Sequence, residues 1–150
     1  MSDSEAPEPG EPSGDPLARM RVYQIARELV KESWDDAEIL AVNPITRRVA
    51  GQLYAAIGSI AANISEGYSR SSGRDRARIF EYALGSTRES GDWYHSGERV
   101  LGRKIVVTRL KKLEEIRRML LTIIPRERDR VIRPSADSTA VKSRTGGFPR

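Results

Sequence analysis

SIAANISEGYSR, residues 59–70, begins as an apolar helix and ends on Asn63, Glu66 and Gly67. Either those polar residues act on a substrate, or they finish a helix, and the fold reading turns on which. At 100° per residue, Leu53, Ile57, Ile60 and Ile64 fall within about 60° of one another, a single buried stripe. Asn63 lies at the rim of that stripe, where an amide bonds a neighbouring helix or a loop backbone. Gly67 follows the last periodic turn, the place of a left-handed glycine that closes a helix. Glu66 opposes the helix dipole there, at a cost of a few tenths to about 1 kcal/mol. That spacing predicts a clamp from Glu66 to Arg70 or Arg74 across the following turn. One carboxylate without a partner base or metal ligand does not make an active site.

Working outward, helical spacing continues from Leu17 to Ile124, with no strand-type alternation. A first helix starts near Pro16, carries Val22, Ile25, Ala26, Leu29, Ser33, Ala37 and Leu40, and stops by Asn43, ahead of Pro44. The second presents Val49, Leu53, Ala56, Ile57, Ile60 and Ile64. The third opens at Ser72, an N-cap with Asp75 three residues on, and carries Phe80, Leu84, Thr87, Gly91, Tyr94 and Leu101. The fourth follows Gly102 with Val106, Leu110, Leu113, Ile116, Leu120, Ile123 and Ile124, and is expected to end at Pro125. Short links between helices of similar length favour antiparallel neighbours. The expected fold is an all-α, up-down-up-down four-helix bundle over residues 17–124.

The flanks differ from this body. Residues 1–16 hold five acids, four prolines and no large apolar side chain beyond Met1, and are expected to be a disordered acidic leader. Residues 125–150 hold seven Lys/Arg against three Asp/Glu and are expected to be a disordered basic tail. The chain has no cysteine, so disulfides and thiolate metal sites are excluded. An acidic N-terminus without an apolar core does not resemble a secretory signal, and no apolar run reaches membrane-spanning length. A soluble, cytoplasmic protein is expected, with no membrane partner.

The third helix has a second face. Tyr82, Gly85, Glu89 and Trp93 lie opposite the Phe80–Leu84 stripe, and tyrosine and tryptophan are enriched at interfaces. This face is expected to meet a second copy of the chain, with Gly85 admitting a neighbour's backbone.

With these residues in place, the sequence resembles the four-helix-bundle proteins encoded in intervening sequences of bacterial large-subunit ribosomal RNA genes. The resemblance rests on Ser59, Ile60, Asn63, Ile64, Glu66, Gly67 and Arg70, then Phe80, Gly85, Ser86 and Glu89, and covers roughly residues 23–124. It implies an antiparallel bundle assembled as a homo-oligomeric ring, a pentamer. In fold alone, it is also similar to the accessory variability determinant of diversity-generating retroelements, a basic pentameric barrel that binds nucleic acid and a reverse transcriptase. The sequence departs from the family pattern at Ser65, at Thr87 and in the link VNPITRR, residues 42–48.

Chemistry is sparse. His95 is the one histidine, and a lone helical histidine without a positioned partner is not acid–base machinery. No phosphate-cradling loop follows a strand and no cluster has metal spacing. Neither catalytic residues, nor cofactor, nor metal are expected. SSG at 71–73 fits ordinary helix capping better than an anion site. Charge remains: the chain carries 26 basic and 21 acidic side chains. Arg70, Arg74, Arg76 and Arg78 gather at one turn, and Arg103, Lys104, Lys111, Lys112 and Arg118, with Arg109 and Arg117, along the fourth helix. Clustered cations predict salt-dependent attraction to RNA or DNA phosphates, multiplied by symmetry in a ring. The alternative expectation is a protein-interaction scaffold without a nucleic-acid role, with the acidic leader shielding basic surface.

Overall fold

A computed structural model describes residues 14–130. The first 13 residues of the expected leader and residues 131–150 of the expected tail lie outside the described residues, whereas the start of that tail is helical as far as Arg128. A 3₁₀ turn, Pro16–Arg19, precedes α1 (Arg21–Val42), α2 (Arg47–Tyr68), α3 (Gly73–Leu101) and α4 (Arg103–Arg128), and the described residues contain no strand. The four helices run up, down, up and down. Helix α2 packs broadly on α1 and α3, and α3 on α4, while α1 touches α4 more thinly.

The core is the set of stripes that periodicity picks out. Ile25, Leu29, Leu40, Leu53, Ile57, Ile60, Ile64, Phe80, Tyr94, Val106, Ile116 and Leu120 are all fully enclosed. Ala37, Val49, Leu84, Leu110 and Ile123 are half-buried and pack at its edge. Each fully buried aliphatic or aromatic side chain is worth about 1.5–3 kcal/mol of transfer free energy before ordering costs.

The helix ends explain the turns and correct three expectations. The first helix does not run on from Pro16: Asp15 Oδ1 accepts the Leu17 N–H at 2.9 Å to hold the short 3₁₀ turn, and the extended Met20 separates it from α1. Gly67 does not close α2 in a left-handed conformation. It sits inside the helix, and the only positive φ among the described residues is that of Gly102. What position 67 requires is space, because a Cβ there would lie 2.9 Å from the Phe80 ring. Two residues of the recognised motif thus form one close contact between α2 and α3. Pro125 does not end α4, which continues to Arg128. The last turn is held against α3, where a Cβ on Gly73 would meet the Glu127 carbonyl at 2.2 Å and Arg76 Nε lies 3.1 Å from Glu127 Oε2. Those contacts offset the one backbone bond that proline forfeits.

Ser72 caps α3 as its spacing predicts, with Oγ accepting the Asp75 N–H at 3.1 Å. Gly102 alone joins α3 to α4, at φ 87°, so the corner between the two longest helices depends on a residue without Cβ.

Candidate nucleic-acid interface

The thin α1–α4 seam is closed by charge. On α1, Glu28, Glu32 and Asp36 recur every four residues and so share one face. Asp36 is 1% exposed. Its Oδ2 accepts the Tyr94 hydroxyl of α3 at 2.7 Å and the Arg109 Nε of α4 at 2.8 Å, and its Oδ1 accepts a second Arg109 nitrogen at 3.3 Å. Glu32 lies 3.4 Å from Arg109 Nη1 and 2.6 Å from Lys112 Nζ, which also reaches Glu28 at 3.4 Å. Burial, reinforced by the bond to Asp36, pushes the Tyr94 hydroxyl well above its ordinary pKa. Burial works against the charge on Arg109, but the bond to Asp36 together with the negative charges of Asp36 and Glu32 more than offsets it and raises its pKa. The bond to Glu32 raises Lys112 likewise.

This network was not among the sequence expectations, although its signal was present. Spacing places Asp36 inside the α1 stripe, between Ser33 and Leu40, and an acid at a core position calls for a cation opposite.

The network bears directly on the basic residues singled out from the sequence. Lys112 and Arg109 are bound into the seam rather than displayed. Arg76 is the other committed side chain, mostly buried between Glu127 and the Tyr68 ring, whose centre lies 5.1 Å from its guanidinium carbon. Arg70 meets Glu66 at 2.5 Å, the clamp that spacing predicts, with both partners about half exposed. Arg78 lies 3.7 Å from Asp75 and donates to the Tyr82 hydroxyl at 3.2 Å. Arg103 lies 3.8 Å from Glu98. Arg118 shares Glu114 with Arg117, whose hydrogen bonds hold the Glu114 carboxyl down to about 2. Exposed pairs of this kind are worth at most about 1 kcal/mol, so a phosphate competes for those arginines on nearly even terms. Among the described residues, Arg74, Lys104 and Lys111 have no ion-pair partner and are exposed.

Arg19, Lys31, Arg47, Arg48, Arg88, Arg99 and Arg126 are likewise exposed and take part in no ion pair among the described residues. A Cβ on Gly97 would touch Leu40 at 2.9 Å, which sets the C-terminal end of α3 beside that of α1. Arg47, Arg48, Arg99 and Lys104 therefore share one end of the bundle. The Arg-rich α2–α3 turn lies at the other end, packed against the last turn of α4.

The two candidate assembly faces also separate. On α3, Tyr82, Gly85 and Glu89 are exposed, and a Cβ on Gly85 would meet nothing within 4 Å. Trp93 is half-buried against the core, and its indole N–H donates to Glu89 at 3.1 Å. A second apolar face, not expected, lies across α1 and α2. Trp34, 54% exposed, meets Tyr54 edge-to-face at 5.6 Å over a groove floored by Ala37, Ala41, Ala50 and Gly51. Asn63 makes no side-chain hydrogen bond among the described residues, and Ser86 Oγ is not a donor there either, its backbone carbonyl instead accepting Ser90 Oγ at 2.7 Å. No helix among the described residues is long and apolar enough to cross a membrane.

Four antiparallel helices, a charged α1–α4 seam and no strand among the described residues define the class, an all-α bundle protein. The chain belongs to the family of 23S rRNA-intervening sequence proteins, whose model matches residues 18–122. Among solved structures it is similar to a protein of unknown function from the S23 ribosomal protein family of Bacteroides thetaiotaomicron. That match has 21% identity and a TM-score of 0.62, and covers 69% of this chain and 97% of that one. The likeness concerns the fold. No curated protein matches the chain.

Proposed function

We infer that this protein is a non-enzymatic, homo-oligomeric, cytoplasmic bundle that binds the phosphate backbone of RNA or DNA through basic surfaces repeated in a ring. The observation that carries the reading is the number of exposed cations without ion-pair partners among the described residues, Arg74, Lys104, Lys111, Arg47, Arg48 and Arg99 among them, on a chain with five more basic than acidic side chains. Phosphate contacts release counterions, so affinity falls linearly in log–log form with salt. Assembly multiplies each patch, and the α3 face around Tyr82 and Gly85 supplies a contact surface without steric obstruction. Retention on heparin across a salt gradient tests the reading. Elution is expected to move to lower salt for Lys111→Glu with helicity unchanged, and a flow-through wild-type protein would contradict it.

A second reading, a protein-interaction scaffold, draws on the Trp34–Tyr54 pair. Two aromatic rings left half exposed over an apolar groove are what a protein partner's side chains fill. On that reading the chain captures protein rather than oligonucleotide, and salt has little effect on the complex.

A further inference from the structure

Where α1 gives way to the link to α2 stand the most exposed large apolar side chains among the described residues: Val42, the last residue of α1, is 81% exposed and Ile45 88%. Connecting turns are ordinarily polar, because nothing covers them. This one is also firmly set. Asn43 Oδ1 accepts the Ile45 N–H at 2.9 Å, the Thr46 N–H donates to the Asn43 carbonyl at 3.2 Å, and the buried Thr46 hydroxyl donates to the Leu40 carbonyl at 2.8 Å. Pro44 restricts the remaining freedom. The turn therefore holds Pro44 and Ile45 outward from a fixed base. Immediately after it stand Arg47 and Arg48, and Arg99 and Lys104 lie at the same end of the bundle, all exposed and without ion-pair partners.

A firmly held apolar tip with exposed cations at the same end of the bundle, of which Arg47 Nε reaches only the Ala41 carbonyl at 3.4 Å, asks for a partner that offers both anionic groups and an apolar face. A nucleic-acid strand with accessible bases has that pattern: phosphates outside, flat base faces within. We propose that the 42–48 turn is the contact element for unpaired nucleic acid, with Arg47, Arg48, Arg99 and Lys104 on phosphates and Ile45, backed by Pro44 and Val42, against an unstacked base. This rests on the nucleic-acid reading above and specifies where it occurs and which form is preferred. In an intact duplex the base faces are covered and the tip has nothing to contact without unstacking. A single-stranded or looped segment offers them freely.

The test uses the full chain and two fluorescent oligonucleotides of one sequence, a hairpin with an open loop and the same strand in a perfect duplex. Binding is measured by anisotropy over a salt series for wild type, Ile45→Ser and Arg47→Gln/Arg48→Gln. Both variants change exposed side chains, and circular dichroism checks the fold. Wild type is expected to prefer the hairpin. Ile45→Ser should reduce hairpin affinity about tenfold, abolish the preference and leave the salt slope intact. Arg47→Gln/Arg48→Gln should lower the slope by about 1.4 on an unpaired strand. Binding by wild type that neither variant alters would overturn the proposal while sparing the wider reading. A charge effect without an Ile45 effect removes the apolar tip. No binding to either oligonucleotide removes the wider reading as well. Vesicles of phosphatidylserine form a further arm, and Ile45-dependent binding to them in place of RNA would make the partner a lipid surface and overturn the proposal.

Discussion

Asp36 joins three helices through two oxygens, and the consequences of changing its partners are graded. Asp36→Ala leaves the mostly enclosed Arg109 with only the longer contact to Glu32 and the Tyr94 hydroxyl without its acceptor, and is expected to cost about 3–5 kcal/mol, read as a lowered urea midpoint. Tyr94→Phe removes one buried hydrogen bond to a charged acceptor and should cost about 1.5–3 kcal/mol. The same tyrosine sets an alkaline limit. Its folded pKa lies above the unfolded value near 10, so above that pH the unfolded chain binds fewer protons than the folded one and stability falls as pH rises. Urea midpoints measured either side of pH ~10 are expected to drop for wild type and to drop less for Tyr94→Phe. Position 67 shows what residue types reveal and conceal. Its glycine is legible as structural, but the reason is not, because helical spacing contains no information on the Phe80 ring arriving from α3. Gly67→Ala should therefore destabilise by about 1–3 kcal/mol through overpacking, and Gly67→Ala combined with Phe80→Leu should recover part of that loss.

At the level of elements, the four helices were readable because their apolar residues keep a 3.6 period and their caps are local. Ser72, Asn43 and Gly102 act on neighbours within a few residues. The end of α4 was not readable for the opposite reason: Pro125 is a local stop signal that a tertiary contact overrides, between Glu127, Arg76 and the backbone at Gly73. The α1–α4 seam was hidden in the same way. Lys112 looks like one more surface cation until α1 brings Glu28 and Glu32 opposite. Lys112→Glu places a third carboxylate beside those two, so it should lower thermal stability, whereas Lys111→Glu on the outer face should not; a thermal melt of each separates them. Gly102 forms the whole α3–α4 corner at φ 87°. At ψ 148° this is backbone that essentially only glycine adopts, so Gly102→Ala is expected to cost about 1–3 kcal/mol, without loss of helical circular dichroism.

For the molecule as a whole, fold and family follow from the seams, whereas function depends on what the charges do when the helices are assembled. Counting Lys and Arg along α4 gives an impression of one continuous basic face. Pairing them shows instead two committed residues, Arg109 and Lys112, several loosely held ones, and a free group at the end that Arg47, Arg48, Arg99 and Lys104 share. Sequence alone shows the sum of charges but not which of them cancel, since the ion pairs between α1 and α4 join residues that stand 70 or more apart in number. The assembly face is equally a matter of what stays uncovered. Gly85→Leu fills open space in the single chain, so it should leave the fold intact and reduce the mass seen by light scattering; unchanged mass would move the contact to the Trp34–Tyr54 face. The account depends most on free cations meeting phosphate, and a salt titration of RNA binding by the full chain measures that directly. The expected result is an affinity falling linearly in log–log form, with a slope that shrinks when Arg47 and Arg48 become glutamine. An affinity indifferent to salt, or no affinity at low salt, would contradict it.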